Sequence, residues 1–438
     1  MYKDEDVNMC VIGLGYVGLP TATIFANSGF RIIGVDINEF KISMITRGKP
    51  YIKEPGLDDL LRTAVSEGRL TATSSVEEAL DSCIIVLIDV PSSVNGGVVD
   101  LSYVVNISQA VARKLREDML VVIESTVPPG TTSGLIRNIL EKGSGLKVEE
   151  DFYLAHVPER IAPGRAIEEL LHAPRVVGGV GPRSTEKALE VYGRVNPNLL
   201  PTDATTAEFV KLFENTFRDL NIAFANLIAL IAERFGIDVY EAIRLANTHP
   251  RVNIHWPGAG VGGPCLTKDP YMLASLLPDF WGVELIRMSR RINEFMPYHM
   301  VEIVEKAAGL EGLDLSLSKV AILGAAYKGG VDDTRESPAR VVVVELAKKF
   351  KEVVVHDPYT RESFGAKYSE NLEEAVKDAD AIVVVTDHPE FKHLDLDKLG
   401  RLVRRRIIVD GRGVFEPSKA ISAGFRYYGV GYGRAWRA

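Results

Sequence analysis

Cys265 closes the stretch Pro257-Gly258-Ala259-Gly260-Val261-Gly262-Gly263-Pro264 and is followed by Leu266, Thr267, Lys268, Asp269 and Pro270. Glycines so dense forbid a regular helix or strand and allow the backbone to approach a ligand closely. The thiolate is the reactive form of cysteine, and a neighbouring ammonium such as that of Lys268 favours it. A free cysteine is more often a small buried hydrophobe, but this polar, glycine-rich setting points to a nucleophile. Asp269 suits either proton and water traffic beside Cys265 or an ordinary turn ahead of Pro270. A second set is Lys211, Asn215 and Arg218, whose spacing puts them on one side of a helix. That row reads as a ligand-facing set or as a solvated face.

A third set can bind a cofactor. Asn8 to Val11 begins an apolar strand that runs into Gly13-Leu14-Gly15-Tyr16-Val17-Gly18, then a helical pattern, Gly29, and the strand Arg31 to Asp36. In such a unit the glycines permit a tight turn, close approach to a pyrophosphate and helix–strand packing. The helix N-terminus holds the phosphates and the acidic strand end accepts from the ribose. Asp36 in place of a basic residue favours NAD over NADP, whose extra phosphate it would repel. The strands Cys83 to Val90 and Leu120 to Ser125 end in turns at Pro91-Ser92-Ser93 and Thr126-Val127-Pro128-Pro129-Gly130. Thr126 fits a cofactor crevice or a helix cap.

These sets need elements to hold them. From Thr205 to Leu245 the apolar period is helical, and Phe209, Leu212, Phe213, Phe217, Leu220 and Phe224 form a stripe expected to face a core. Beyond it the strand and helix alternation returns: Lys319 to Gly324, a helix from Ser337 to Phe350, Glu352 to Asp357, Ala379 to Thr386 and Arg406 to Asp410. The turn after Gly324 lacks the three-glycine fingerprint, so this half suits a nucleotide without being a second NAD site. The expected fold class is α/β, with two Rossmann-like doubly wound parallel sheets joined by a long central helical region. The expected domains are 1–200 for NAD, 201–305 for the helical and cysteine-loop region, and 306–438 for a nucleotide.

A chain of 438 residues exceeds one ordinary core, and its 46% hydrophobic and 25% charged residues are those of a soluble globular protein. The net charge of −8 argues against nucleic acid as a partner. The basic tail, Arg401 to Arg406 and Arg426 to Arg437, reads as solvated surface. The start, Met1 to Asp6, leads into no signal-type segment, and no apolar run is long enough for a bilayer. Three cysteines, with Cys10 and Cys83 in apolar strands, suggest a reduced cytoplasm without disulfides. Gln109 is the only glutamine, a depletion in keeping with a heat-adapted source. No metal-ligand pattern is present, so no metal is expected.

With these pieces placed, the sequence resembles the UDP-glucose/GDP-mannose dehydrogenase family over nearly its whole length. The motifs that carry the resemblance are Gly13 to Gly18, Ser125 to Gly130, Pro158-Glu159-Arg160, Lys211 with Asn215, Gly262-Gly263-Pro264-Cys265, and Asp333-Thr334-Arg335-Glu336-Ser337. Pro158 to Gly164, and Thr206-Ala207-Glu208 through His249-Pro250-Arg251, are most similar to members acting on UDP-N-acetyl-D-mannosamine. UDP-glucose members usually have phenylalanine at Arg160 and glutamate at Pro163, whereas bacterial N-acetylmannosamine members often have histidine at Pro264.

The resemblance implies an NAD-dependent four-electron oxidation of the sugar C6. Cys265 would carry a thiohemiacetal and then a thioester, while Lys211 and Asn215 would attend the C6 oxygen. Glu159 would assist hydrolysis or simply pair with Arg160. The cofactor contacts it implies are Gly13, Gly15, Tyr16, Val17, Gly18, Asp36, Ser92, Thr126 and Arg335. Its substrate contacts are Arg160, Ile161, Lys211, Asn215, Arg218, His249, Arg251, Gly262, Tyr327, Lys328 and Arg412. Arg251 would reach a neighbouring subunit's site, in a homodimer or dimer of dimers. The same chemistry on UDP-N-acetylglucosamine, UDP-glucose or GDP-mannose, and a non-catalytic nucleotide sensor, are the alternatives. A two-electron hydroxyacid dehydrogenase would leave the Cys265 loop and the second sheet unexplained.

Overall fold

Alternation along the first strand builds two cores at once. In β1 (Asn8–Ile12), Met9 and Val11 enter one apolar cluster while Cys10 and Ile12 enter another on the opposite face. A strand buried on both faces reads as a continuous apolar run, as parallel strands do. Each fully buried aliphatic side chain contributes about 1.5–3 kcal/mol.

The computed structural model describes residues 7–436 except Gly96; Met1 to Asp6 and Arg437, read above from sequence, lie outside the described residues. The chain divides into two compact units, Met1–Glu214 and Asn215–Ala438. The boundary falls inside one helix, Ala204–Phe235.

In the first unit β2 (Arg31–Val35), β3 (Leu70–Thr73) and β4 (Ile85–Ile88) join β1. A short hairpin of β5 (Ser93–Asn95) and β6 (Val98–Asp100) follows. Then come β7 (Leu120–Ile123), β8 (Tyr153–His156), β9 (Arg175–Gly179) and β10 (Leu199–Asp203). The eight-stranded order is β10-β9-β8-β7-β4-β1-β2-β3, parallel throughout except between β8 and β9. The order reverses between β1 and β4, where a doubly wound sheet opens its ligand crevice.

The second unit holds β11 (Lys319–Leu323), β12 (Glu352–His356), β13 (Lys367–Tyr368), β14 (Ala381–Val384), β15 (Ile407–Asp410) and β16 (Arg426–Gly429). Their order, β13-β12-β11-β14-β15-β16, is parallel throughout. The alternation of β1 recurs in β11: Val320 and Ile322 face one core, Ala321 and Leu323 the other. The expected α/β class with two doubly wound sheets is therefore observed.

Two expectations are overturned. Cys10 and Cys83 form a disulfide with a Cα separation of 5.8 Å. They reach each other because β1 pairs with β4, which puts Cys10 beside the chain entering β4. The phenylalanine stripe does not face a core: Leu212 is buried, but Phe209, Phe213, Phe217 and Phe224 are exposed, Phe217 to 58%. Helical periodicity identifies an apolar face without saying what covers it.

The described arginines of the basic tail are exposed, as expected, and several are also paired. Arg404 binds Asp380, Arg405 the Glu311 carbonyl, and Arg434 Glu241. Among the described residues no helix is long and apolar enough to cross a membrane, and no group of three His, Cys, Asp or Glu is placed to hold a metal.

Candidate active site

The glycine turn after β1 is shaped as its sequence requires. Gly13 has φ +99°, donates to the Val35 carbonyl at 2.8 Å, and has the Asp89 carbonyl where a side chain would stand. A Cβ on Gly18 would meet the Gly13 carbonyl, whereas Gly15 faces open space. The helix Gly18–Asn27 has no cap from Val17, and the Gly18 N–H is taken by the Asp89 carboxyl, which leaves the rest of its first turn for phosphate oxygens. Asp36 follows β2 and accepts from Leu14 N at 3.0 Å, with Lys41 Nζ 2.6 Å away. This cradle fits a dinucleotide. Lys41 is absent from the sequence reading; its only signal is a basic residue five places after Asp36.

Ser92 Oγ donates to the Thr126 carbonyl at 2.6 Å, linking the turns after β4 and β7. Thr126 is not a helix cap, because the next helical turn begins at Thr131. Glu208 serves that end instead: its carboxylate accepts from Gly130 N at 2.6 Å and Thr132 N at 2.7 Å. Burial pushes the Glu208 carboxyl up to about 6 despite those donors.

Beyond β4, β7 and β8 lies a cluster of buried ionisable groups. Glu124, after β7, takes hydrogen bonds from Arg175 Nη2 and Tyr192 Oη, each at 2.6 Å. The Arg175 guanidinium lies over the Tyr192 ring at 4.7 Å, and its Nη2 is 2.8 Å from Glu159 Oε2. Glu159 Oε1 accepts from the backbone N–H groups of Arg160 (2.7 Å) and Ile161 (3.0 Å). The Arg160 side chain does not pair with Glu159. It forks onto Glu214, with Nε–Oε2 at 3.0 Å and Nη2–Oε1 at 2.6 Å. His156, ending β8, is fully buried, and neither ring nitrogen has a hydrogen-bond partner among the described residues. Burial and the Lys211 charge push its imidazole down to about 3, so it is neutral. Lys211 itself is half-buried.

The second unit carries the cysteine loop. Cys265 is free and exposed. The glycines before it admit the protein's own chain: a Cβ on Gly262 would meet the Glu336 carbonyl, Pro338 and Tyr327, and one on Gly263 (φ +85°) the Tyr327 ring. Gly263 N donates to the Arg335 carbonyl at 3.0 Å, and Thr267 Oγ1 to the Gly263 carbonyl at 2.7 Å. The close approach expected for a ligand is thus partly spent on packing. Lys268 Nζ lies 3.5 Å from Asp269 Oδ1, so its charge is shared with a carboxylate. Asp269 is fully buried and its Oδ2 accepts from Asn215 Nδ2 at 2.6 Å. Burial, Asp333 and Cys265 together push the Tyr327 phenol up to about 12.

Arg412 is held by the Val385 carbonyl (2.9 Å) and the Gly260 carbonyl (3.1 Å). With Tyr240, Trp256 and Phe415 it lines a cavity of about 850 Å³. Arg335 pairs with Asp333 at 2.6 Å. Arg218, His249, Arg251 and Lys328 are exposed. Asp357, after β12, stands where Asp36 stands after β2. It is consumed internally by Ala325 N (2.7 Å), Ala326 N (3.0 Å) and His388 Nε2 (2.9 Å). Among the described residues, the acid at the end of the second strand of this sheet is thus engaged within the protein.

Two doubly wound sheets, one with a dinucleotide cradle, and an exposed cysteine on a glycine loop define an NAD-dependent dehydrogenase of nucleotide-sugars. The chain belongs to the UDP-glucose/GDP-mannose dehydrogenase family: residues 7–196 match its NAD binding domain, 205–295 its central domain and 321–417 its UDP binding domain. It is 45% identical over 428 residues to a UDP-N-acetyl-D-mannosamine dehydrogenase of Pyrococcus horikoshii, covering 98% of this chain and 100% of that one. A solved structure of UDP-D-ManNAc dehydrogenase from P. horikoshii superposes with a TM-score of 0.91 at 44% identity, covering 98% and 100% of the two chains. A UDP-glucose dehydrogenase structure from the hyperthermophilic archaeon Pyrobaculum islandicum gives 0.87 at 32% identity, covering 99% of each.

Proposed function

We propose that this enzyme oxidises the C6 alcohol of UDP-N-acetyl-D-mannosamine to the carboxylate in two successive two-electron steps. The observation that carries the choice of sugar is the full-length similarity to the P. horikoshii UDP-N-acetyl-D-mannosamine dehydrogenase. NAD, when bound, supplies the hydride acceptor for both oxidations. Cys265 adds to the C6 aldehyde and retains it as a thiohemiacetal, then as a thioester, so that no free aldehyde escapes. Lys211 and Asn215 stabilise the C6 oxygen as its proton leaves. Glu159 accepts a proton from the water that opens the thioester.

Gly13, Gly15, Tyr16, Val17, Gly18, Asp36, Ser92, Thr126 and Arg335 are proposed to hold the cofactor. Arg218, His249, Arg251 and Lys328, with exposed side chains, are proposed to meet the substrate's anionic parts, along with Ile161, Gly262 and Tyr327. Arg160 and Arg412, each also bound within its own unit, are proposed to contact the substrate as well. The exposed phenylalanines of the helix Ala204–Phe235 support a dimer built on that helix. The buried position of Cys10 and Cys83 makes their disulfide compatible with a cytoplasmic enzyme.

Initial rates on UDP-N-acetylmannosamine, UDP-N-acetylglucosamine, UDP-glucose and GDP-mannose, with NAD and with NADP, test the reading. The highest kcat/KM is expected for UDP-N-acetylmannosamine with NAD. A higher value for another sugar overturns the substrate, and one NADH per sugar instead of two overturns the two-step mechanism.

A further inference from the structure

The turn that follows β11 is held by side chains along its length. Ala325 N and Ala326 N donate to Asp357 Oδ2 at 2.7 and 3.0 Å, and Gly329 N donates to Asp387 Oδ1 at 3.2 Å. Gly330 N donates to His388 Nδ1 at 3.1 Å, and the Ala326 carbonyl accepts from Thr386 Oγ1 at 2.6 Å. Backbone N–H groups that could have cradled phosphate oxygens are thus taken by the protein itself. An anion at this turn needs a side chain instead. The turn carries one cation, Lys328, exposed and with no hydrogen-bond or ion-pair partner among the described residues.

His388 connects the two ends of this turn. It is fully buried, and Asp357 is buried beside it. The Tyr359 ring stacks on the imidazole at 5.0 Å and the Phe391 ring meets it edge-on at 5.4 Å, which fixes its plane. A backbone N–H can only donate, so His388 Nδ1 must accept from Gly330. The proton of the ring then stands on Nε2, which donates to Asp357 Oδ2 at 2.9 Å. Against burial, the donors from His388, Ala325 and Ala326 hold the Asp357 carboxyl down at about 2. Asp357 therefore grips the start of the turn, His388 grips its end, and one hydrogen bond joins the two grips.

We propose that His388 is a positioning residue for the nucleotide: with Asp357 it clamps the turn 325–330 at both ends and so holds Lys328 where it meets the diphosphate of UDP. The proposal rests on the reading of Lys328 as a contact of the substrate's anionic part. Residues 321–417, which match a UDP binding domain, include every member of the clamp. The same turn carries Tyr327, whose ring lies where a Cβ on Gly263 would stand, so the clamp also braces the segment that leads to Cys265. A turn released at one end reaches the binding geometry for only part of the time, and apparent affinity falls by that fraction.

The test is binding of UDP alone to the full-length protein by isothermal calorimetry. Binding of NAD is the control for folding, because its cradle lies in the other compact unit. Glutamine places an amide nitrogen where Nε2 stands, and asparagine an oxygen where Nδ1 stands. His388→Gln keeps the donor to Asp357 but loses the acceptor for Gly330, and UDP affinity is expected to fall about tenfold. His388→Asn keeps that acceptor and should stay within about threefold of the wild type. Lys328→Ala should weaken UDP about tenfold or more, and adding His388→Gln to it should change little, since the effect passes through the missing ammonium. NAD affinity should be unchanged in all of them.

Wild-type UDP affinity in Lys328→Ala overturns the reading of Lys328 and the proposal with it. Weak binding there, with wild-type affinity in folded His388→Gln or fully additive losses in the double variant, overturns the positioning role alone. Thr386→Val, which frees the Ala326 carbonyl of the same turn, carries the test if His388→Gln does not fold. A loss of about threefold is expected, and wild-type affinity in that variant refutes the clamp.

Discussion

Asn215 donates its side-chain amide to the buried carboxylate of Asp269 at 2.6 Å. The sequence reading offered Asp269 as a partner of Cys265 or as a turn residue ahead of Pro270. In the fold it opens the helix Asp269–Ser275, donates its N–H to the Cys265 carbonyl at 2.8 Å, and uses its side chain to hold Asn215. Asp269 therefore ties the cysteine loop to the long helix that carries Asn215. Its other oxygen, Oδ1, has no hydrogen-bond donor among the described residues.

Asn215→Asp sets two carboxylates at hydrogen-bonding distance, where both cannot remain ionised. The variant is expected to lose turnover on the order of 10²-fold or more at neutral pH and to recover part of it in acid as the pair shares a proton. Steady-state kinetics from pH 5 to pH 9 check this; an activity loss that is flat across pH contradicts it.

Cys265→Ser is expected to abolish uronate formation while NAD still binds, because the cradle of Gly13 to Gly18 lies in a separate compact unit. Isothermal calorimetry with NAD and product analysis read the two outcomes. Full turnover removes Cys265 from the mechanism.

The Cys10–Cys83 disulfide closes a loop with a sequence separation of 73, for which chain entropy gives about 4 kcal/mol. Replacing both cysteines by alanine should lower the unfolding transition of the first unit by roughly 10 °C, at about 2–4 °C per kcal/mol. Calorimetry of oxidised protein and the double variant measures it; equal transitions show that the bridge adds nothing.

His156 is held neutral, with its imidazole pushed down to about 3 by burial and Lys211. The unfolded chain takes up a proton near pH 6.5 and the folded one does not, so this group favours folding above that pH. The contribution is lost as the pH falls from about 6.5 to about 3, at up to about 1.4 kcal/mol per unit. His156→Leu should flatten the stability profile between pH 6 and pH 4, as read by urea denaturation. An equally steep profile in the variant assigns the acid sensitivity elsewhere.

Phe217→Glu with Phe224→Glu puts charge on the exposed face of the helix Ala204–Phe235. Sedimentation velocity is expected to show a monomer in place of a dimer, with the sheets still folded by circular dichroism. A variant that stays dimeric rejects this helix face as the interface.

Much of the design is carried by local pattern. The run from Met9 to Ile12 is apolar at every position because both faces of its strand are covered, and Gly13 to Gly18 carry backbone demands that few other residues meet. Cys265 stands out through the glycines around it. These features depend on neighbours a few residues apart, so the sequence by itself determined the two sheets, the cofactor cradle and the candidate nucleophile. Long-range pairing decided the rest. Glu124 lies 51 residues before Arg175 and 68 before Tyr192, and it meets Arg175 because β9 begins, antiparallel to β8, at the edge where β7 ends. Cys10 finds Cys83 because β1 pairs with β4. The glycines near Cys265 proved to admit Tyr327 and Pro338, and the phenylalanine stripe proved to face outward. Periodicity records which side of an element is apolar or polar; what meets that side is fixed by contacts between segments far apart in the chain, and those exist only once it has folded.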